Sequence, residues 1–144
     1  MTPFRIERRT RLSAPEAWRR LTTWERHGQH VPLTQVTVVT PPPNRAGTRF
    51  TARTGIGAVA FDDAMEVVRW EPPAPGRPGH CRMEKRGSAV TGWAAFEVAD
   101  DGPGARVVWC EELRMRWAPR LLDAPTALLG RVVFGRVVAR LLEP

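Results

Sequence analysis

Few residues in this chain have both the type and the setting to do chemistry. Glu111 stands in Trp109-Cys110-Glu111-Glu112-Leu113-Arg114-Met115, where alternate positions separate Trp109, Glu111, Leu113 and Met115 from Cys110, Glu112 and Arg114. Strand side chains alternate between two faces, so the apolar set faces inward and takes Glu111 with it. Among hydrophobic neighbours a carboxyl group is hard to ionise, and it can donate a proton, accept one or anchor a ligand hydroxyl. The plainer expectation is a carboxylate near a pocket mouth, paired with an arginine such as Arg131. Asp63 shares its parity with Phe61, Met65 and Val67, unless a bulge beside Gly57 turns it outward. Arg131 falls inside the apolar arc of the last helix, so it either snorkels to the rim or enters the interior to hold a carbonyl or carboxylate.

Other chemistries are poorly supplied. There is no tyrosine, which removes a phenolic acid or oxyanion donor. Ser13, Ser88 and the threonines lack the His/Asp partners of acyl-enzyme catalysis. Cys81 and Cys110 have no CxxC spacing and are expected to be reduced, buried thiols. His27 and His30 are three apart with His80 distant, a pattern read as a surface helix end and a loop histidine rather than a metal site. Neither a metal nor another cofactor is expected.

Phe4 to Leu12 alternates as a half-buried strand. Ser13 then caps a helix running to about Thr23, with Pro15 in its first turn and Glu16 three residues beyond the cap. A second short helix covers Trp24 to His30. From Thr34 the texture becomes β-branched alternation: strands at Thr34 to Thr40, Thr48 to Thr54, Ala58 to Trp70, His80 to Arg86, Val90 to Ala99 and Ala105 to Trp117. Turns rich in Pro, Gly and Asp join them, including a hairpin loop at 71–79 that is expected to be mobile. A short helical turn at Arg120 to Leu122 precedes a long helix from Thr126 to Leu142, capped by Asp123. That helix is apolar over more than half its wheel and interrupted by Arg131, Arg136 and Arg140, so it is too short and too charged to span a bilayer. It is expected to need cover on more than one side.

At 144 residues the chain is the size of one domain, 1–144, with an ordinary hydrophobic fraction of 42%. The start, Met1 to Arg11, is arginine-rich without an apolar run, which predicts a cytoplasmic protein without a secretory signal. The formal charge is +7, yet Lys85 is the only lysine among 22 basic residues. The arginines are scattered rather than blocked or interleaved with aromatics, a pattern that does not predict specific nucleic-acid binding. Nothing specifies an oligomeric state.

The order strand, two helices, six strands, helix resembles the START-like (SRPBCC) superfamily with the helix-grip fold. The local stretches Ser13-Ala14-Pro15-Glu16-Ala17-Trp18, Trp24-Glu25-Arg26-His27, Gly47-Thr48-Arg49-Phe50, Met65-Glu66-Val67-Val68-Arg69-Trp70-Glu71-Pro72-Pro73 and Trp109-Cys110-Glu111-Glu112-Leu113 carry it. They look most like the bacterial polyketide cyclase/dehydrase and lipid-transport-like branch. The resemblance implies an α+β fold: a seven-stranded curved antiparallel sheet wrapped around a long C-terminal helix, with a deep apolar cavity between them. It transfers no catalytic role to any residue, since the family has no universal catalytic set.

Phe50, Phe61, Met65, Met83, Phe96, Trp109 and Leu113, with Leu128 and Val132 from the helix, are the expected cavity wall, and Glu111 and Arg131 its polar groups. The first functional expectation is a carrier or binder of a small hydrophobic molecule such as a lipid, polyketide or aromatic metabolite. A cyclase or aromatase-like enzyme using Glu111 or Asp63 is the second. A peripheral membrane or protein-interaction module, using the arginine-rich exterior and the loop at 71–79, is the third.

Overall fold

A computed structural model describes residues 3–144; Met1 and Thr2, part of the arginine-rich start, lie outside the described residues. The elements are β1 (Phe4–Thr10), α1 (Ala14–Leu21), α2 (Glu25–Gly28), β2 (Thr34–Val38), β3 (Arg49–Ile56), β4 (Val59–Glu71), β5 (Gly79–Lys85), β6 (Val90–Asp101), β7 (Gly104–Met115) and α3 (Asp123–Leu141). All seven strands form one antiparallel sheet in the order β1-β7-β6-β5-β4-β3-β2. Each strand from β2 to β6 pairs with the next in the chain, whereas β1 pairs with the last strand, Phe4 opposite Glu111, and forms one edge of the sheet.

The sheet bends because its sequence permits local kinks. Gly92 in β6 has φ +127°, and a Cβ there would lie 1.9 Å from the Glu112 carbonyl oxygen, so only glycine lets β6 approach β7 at this point. The register also shifts between Val67 and Arg69 in β4. That irregularity is far from Gly57, so Asp63 keeps the inward parity it shares with Met65 and Val67.

The helix α1 begins as its sequence predicts: the Glu16 backbone N–H donates to Ser13 Oγ, and Ala17, Trp18 and Leu21 are buried. At α3 the start differs. Arg120–Leu122 forms a 3-10 turn that runs directly into the helix, which places Asp123 in the first turn with αR geometry. Its carboxylate lies 3.7 Å from Arg114 instead of capping the helix.

The cover expected for α3 also differs. Ala127, Gly130, Val137, Val138 and Leu141 form one buried stripe, and Gly130 lets the helix approach so closely that a Cβ would meet the Phe4 ring at 2.8 Å. Leu128 is 64% exposed, Leu129 65% and Val132 47%. A concave sheet grips one side of a helix, and here the opposite side stays in solvent despite its apolar residues. No helix among the described residues is long and apolar enough to cross a membrane.

The core is aromatic. Trp18 packs edge-on against Trp70 and Phe96, Phe96 stacks on Trp109 at 5.4 Å, and Trp109 stacks in turn on Phe134 at 6.1 Å. This row ties α1 and α3 to the concave face of the sheet. Cys81 is buried in the same core, and burial pushes its thiol up to about 12, so it packs as an inert apolar side chain. Cys110, expected to be buried as well, lies on the other face of β7 and is only partly covered.

Candidate functional site

The concave face leaves two connected chambers. The inner one, of about 60 Å³, is walled by Trp24 and His27 at α2, Val36, Phe50 and Ala52 from β2 and β3, Met65 and Met83 from β4 and β5, Trp109, and Phe134 from α3. The outer one, of about 230 Å³, continues past Val31, Thr34, Thr54, Val90, Leu113 and Met115 to Phe61, which is 37% exposed and marks the mouth. His27, Val36, Ala52, Asp63, Glu111 and Phe134 border both chambers, so they form one continuous space.

Charge is concentrated at its floor. Lys85 Nζ lies 2.7 Å from Asp63 Oδ2 and 3.3 Å from Glu111 Oε2, with the Lys85 and Glu111 side chains almost wholly buried. Strand geometry explains the meeting: Met65 pairs with Lys85 across β4 and β5, and Asp63 is the next inward residue along β4. Asp63 lies opposite Ala52 and Glu111 opposite Ala94, whose methyl groups leave room for the carboxylates to extend inward. Trp109 Nε1 donates to Glu111 Oε1 at 3.1 Å.

The cluster sets its own protonation. Burial alone would lower the Lys85 ammonium's pKa, but Glu111 and Asp63 outweigh it and hold it above the ordinary lysine value. Burial pushes the Glu111 carboxyl up, Lys85 pulls it back in part, and Asp63 adds to the rise. Glu111 is therefore harder to ionise than an exposed carboxyl, while Lys85 stays cationic between the two acidic side chains. Two polar atoms on the chamber walls, Asp63 Oδ1 and Trp24 Nε1, are buried without a hydrogen-bond partner among the described residues. Buried polar groups are nearly always satisfied, so each such atom calls for an explanation.

His27 completes the wall. Its Nε2 is 2.7 Å from the Leu21 carbonyl oxygen, which fixes that nitrogen as the N–H donor of a neutral ring. Burial among Trp24, Trp109 and the chamber lining lowers its pKa to about 4. His80, on β5, sits instead 3.7 Å from Glu97 of β6, and no group of three His, Cys, Asp or Glu among the described residues could hold a metal ion.

The sequence-predicted residues divide cleanly. Phe50, Met65, Met83 and Trp109 line the inner chamber, Phe61 and Leu113 the outer, and Asp63 and Glu111 both. Phe96 is one layer back, between Trp18 and Trp109. Leu128, Arg131 and Val132 are not in the cavity. They border an open groove of about 560 Å³ on the outside, between β1 and α3, together with Arg5, Arg8 and Arg136. That groove is larger than the cavity but open to solvent.

The face of α3 turned to the sheet runs through Ala127, Gly130, Val137, Val138 and Leu141, with Phe134 reaching the cavity, and Leu128, Arg131 and Val132 are exposed outside that stripe. Glu111 accordingly pairs with Lys85 and not with Arg131. Lys85, Trp24, His27 and Phe134 join the site beyond the residues expected there. Lys85 is recoverable from parity, since Cys81, Met83 and Lys85 alternate along β5 with buried positions throughout.

No family model matches the chain, and no curated protein matches it. Solved structures match its fold over nearly its whole length. A crystal structure of TTHA0849 from Thermus thermophilus superposes with a TM-score of 0.71 at 14% identity, covering 98% of this chain and 94% of that one. The di-domain ARO/CYC BexL from the BE-7585A biosynthetic pathway gives 0.68 at 14% identity, covering 99% of this chain and 45% of that one. A STAR-related lipid transfer protein from Xanthomonas axonopodis gives 0.67 at 15%, covering 96% and 85% respectively. The architecture they share with this chain is a helix-grip fold. At these identities the likeness defines the fold, which hosts many functions.

Proposed function

We propose that the protein binds a small hydrophobic molecule in the cavity between the curved sheet and α3. The observation that carries this reading is the continuous aromatic-walled space that opens at Phe61 and ends on the Lys85, Asp63 and Glu111 cluster. A packed core would not keep charged side chains beside an empty apolar volume, whereas binding sites combine apolar walls with a few convergent polar groups. The outer chamber, about 230 Å³, lies below the common ligand-pocket range of about 300–1,000 Å³. Of lipid, polyketide and aromatic metabolite, this size favours a compact one- or two-ring molecule over a long acyl chain. The cyclase and lipid-transfer names of the structural neighbours agree with a hydrophobic ligand. The chain acts as one domain, 1–144, in the cytoplasm, and needs no nucleic acid.

Native mass spectrometry of protein purified from its host, followed by organic extraction, tests this reading. A defined adduct near one per chain is expected, and Leu113→Trp, which fills the outer chamber, should abolish it. A clean mass for both proteins, with no thermal shift across a panel of aromatic and lipid ligands, would overturn it.

A second reading is favoured by the buried Glu111 carboxyl on the cavity wall, which burial pushes up: a cyclase or aromatase-like enzyme in which this group, with Asp63, moves protons on a reactive chain. Glu111→Gln that binds ligand but loses turnover would support it. Binding without turnover by either protein, across candidate polyketide substrates, would count against it.

A further inference from the structure

The geometry points to a ligand that carries a neutral hydroxyl group on a compact apolar body, seated with that hydroxyl between Asp63 and Lys85. The inference rests on the reading of the cavity as a hydrophobic-ligand site and specifies the chemistry of its occupant. It begins from two unused hydrogen-bonding capacities side by side. Asp63 Oδ2 takes the Lys85 ammonium at 2.7 Å, but Asp63 Oδ1 is buried and has no partner among the described residues. Lys85 gives N–H bonds toward Asp63 and Glu111, and its next neighbour is only the Met65 thioether at 3.9 Å, a weak acceptor. The floor therefore offers one open acceptor and one poorly used donor.

Only some ligand groups fit that pair. A carbonyl or ether accepts from Lys85 but leaves Asp63 Oδ1 unpaired. A carboxylate would add a third acidic group beside one cation. An ammonium could donate to Asp63 Oδ1 but has no lone pair to accept from Lys85, and it would set a second buried cation against the first at a high desolvation cost. A hydroxyl donates to Asp63 Oδ1 and accepts from Lys85, satisfying both at once. The inner chamber, about 60 Å³, takes only the hydroxyl end, so the body lies in the outer chamber, about 230 Å³, whose size admits one or two rings between Phe134 and Phe61.

Two probes of nearly equal shape separate this inference from burial alone. 2-Naphthol carries the hydroxyl, while 2-methoxynaphthalene replaces its proton with a methyl group. The ether is the more hydrophobic, so a purely apolar pocket binds it more tightly. Isothermal titration of the wild-type protein at neutral pH should instead show 2-naphthol binding about tenfold more tightly, the scale of one hydrogen bond to a carboxylate.

Asp63→Ala leaves Lys85 and Glu111 as a one-to-one pair. With its fold checked by circular dichroism, it should lose the preference or reverse it. Equal or tighter binding of the ether by the wild type would overturn the hydroxyl inference while leaving the hydrophobic cavity intact. A preference that survives in folded Asp63→Ala would overturn the role of Asp63. Failure of both probes to bind, up to their solubility, would overturn the inference together with the cavity reading beneath it.

Discussion

Two ion clusters in this protein have the same layout with the charges exchanged, one on the surface and one in the interior. At the start of α1, the Glu16 carboxylate is held by Arg19 at 2.6 Å and Arg20 at 3.0 Å. At the cavity floor, the Lys85 ammonium is held by Asp63 at 2.7 Å and Glu111 at 3.3 Å. The separations are alike but the surroundings are not. Water solvates whatever Glu16 leaves unpaired, and its two arginines lower its pKa to about 2 without stranding any group. In the interior burial pushes the Glu111 carboxyl up, and one Asp63 oxygen is left unsatisfied. Distance alone therefore says little about what a charge cluster does. The surface cluster adds modestly to a helix start, whereas the buried one dictates what else can occupy its cavity.

Removing the central charge should expose the contrast most strongly. Lys85→Met strands two buried carboxyls and should destabilise the fold by about 3–5 kcal/mol at neutral pH in urea unfolding, with much of the loss recovered in acid. Replacing the whole cluster, Lys85→Met with Asp63→Leu and Glu111→Leu, should restore stability to near the wild-type value or above it, because apolar groups of similar volume often match a buried ion pair. A triple variant as unstable as the single one would mean that the cluster holds the fold rather than the ligand.

His27 and Glu111 border the same cavity and give smaller effects of opposite sign. The folded-state pKa of His27 is lowered from 6.5 to about 4, so the unfolded chain binds more protons between those values. Stability is fully present above 6.5 and falls as the pH drops toward 4, by at most about 3 kcal/mol, and His27→Gln should remove that dependence. Glu111 behaves oppositely. Its folded-state pKa is raised above 4.5, so the native state holds the extra proton, and stability falls as the pH rises through that window. The windows overlap, so the wild-type curve shows only the sum. Urea titrations from pH 4 to 8 on His27→Gln and Glu111→Gln should tilt in opposite directions, and a Glu111→Gln curve parallel to wild type would refute the upward shift of that carboxyl.

The smallest effect belongs to the surface. Glu16→Ala should shift the neutral-pH unfolding midpoint least of all these variants, and less still in high salt, since exposed pairs are screened. A loss comparable to that of Lys85→Met would dissolve the comparison between the two clusters.

Much of the fold was legible because strand and helix periods are local properties. Alternation from Thr34 onward marked β2 to β7, and Ser13 with Glu16 marked the start of α1. The same alternation placed Asp63, Met65, Met83, Trp109 and Glu111 on the concave face. It carries the signal for Lys85 too, but a lone lysine among arginines looks like one more solvated charge. Residues from helices were harder. His27 and Trp24 come from a four-residue helix and its cap, with no period of their own, and the apolar arc that draws Leu128, Arg131 and Val132 inward on a wheel is wider than the stripe that α3 buries.

The sequence by itself determined the order of elements, the curved antiparallel sheet with its terminal helix, and the parity of each strand, because these follow from short-range backbone geometry and turn chemistry. Only the tertiary structure decided which side of α3 the sheet grips and which charges meet. A helical wheel has no phase until it is docked against something. Lys85 and Asp63 are 22 residues apart in the chain, and Glu111 reaches them only because the sheet curls around a common interior.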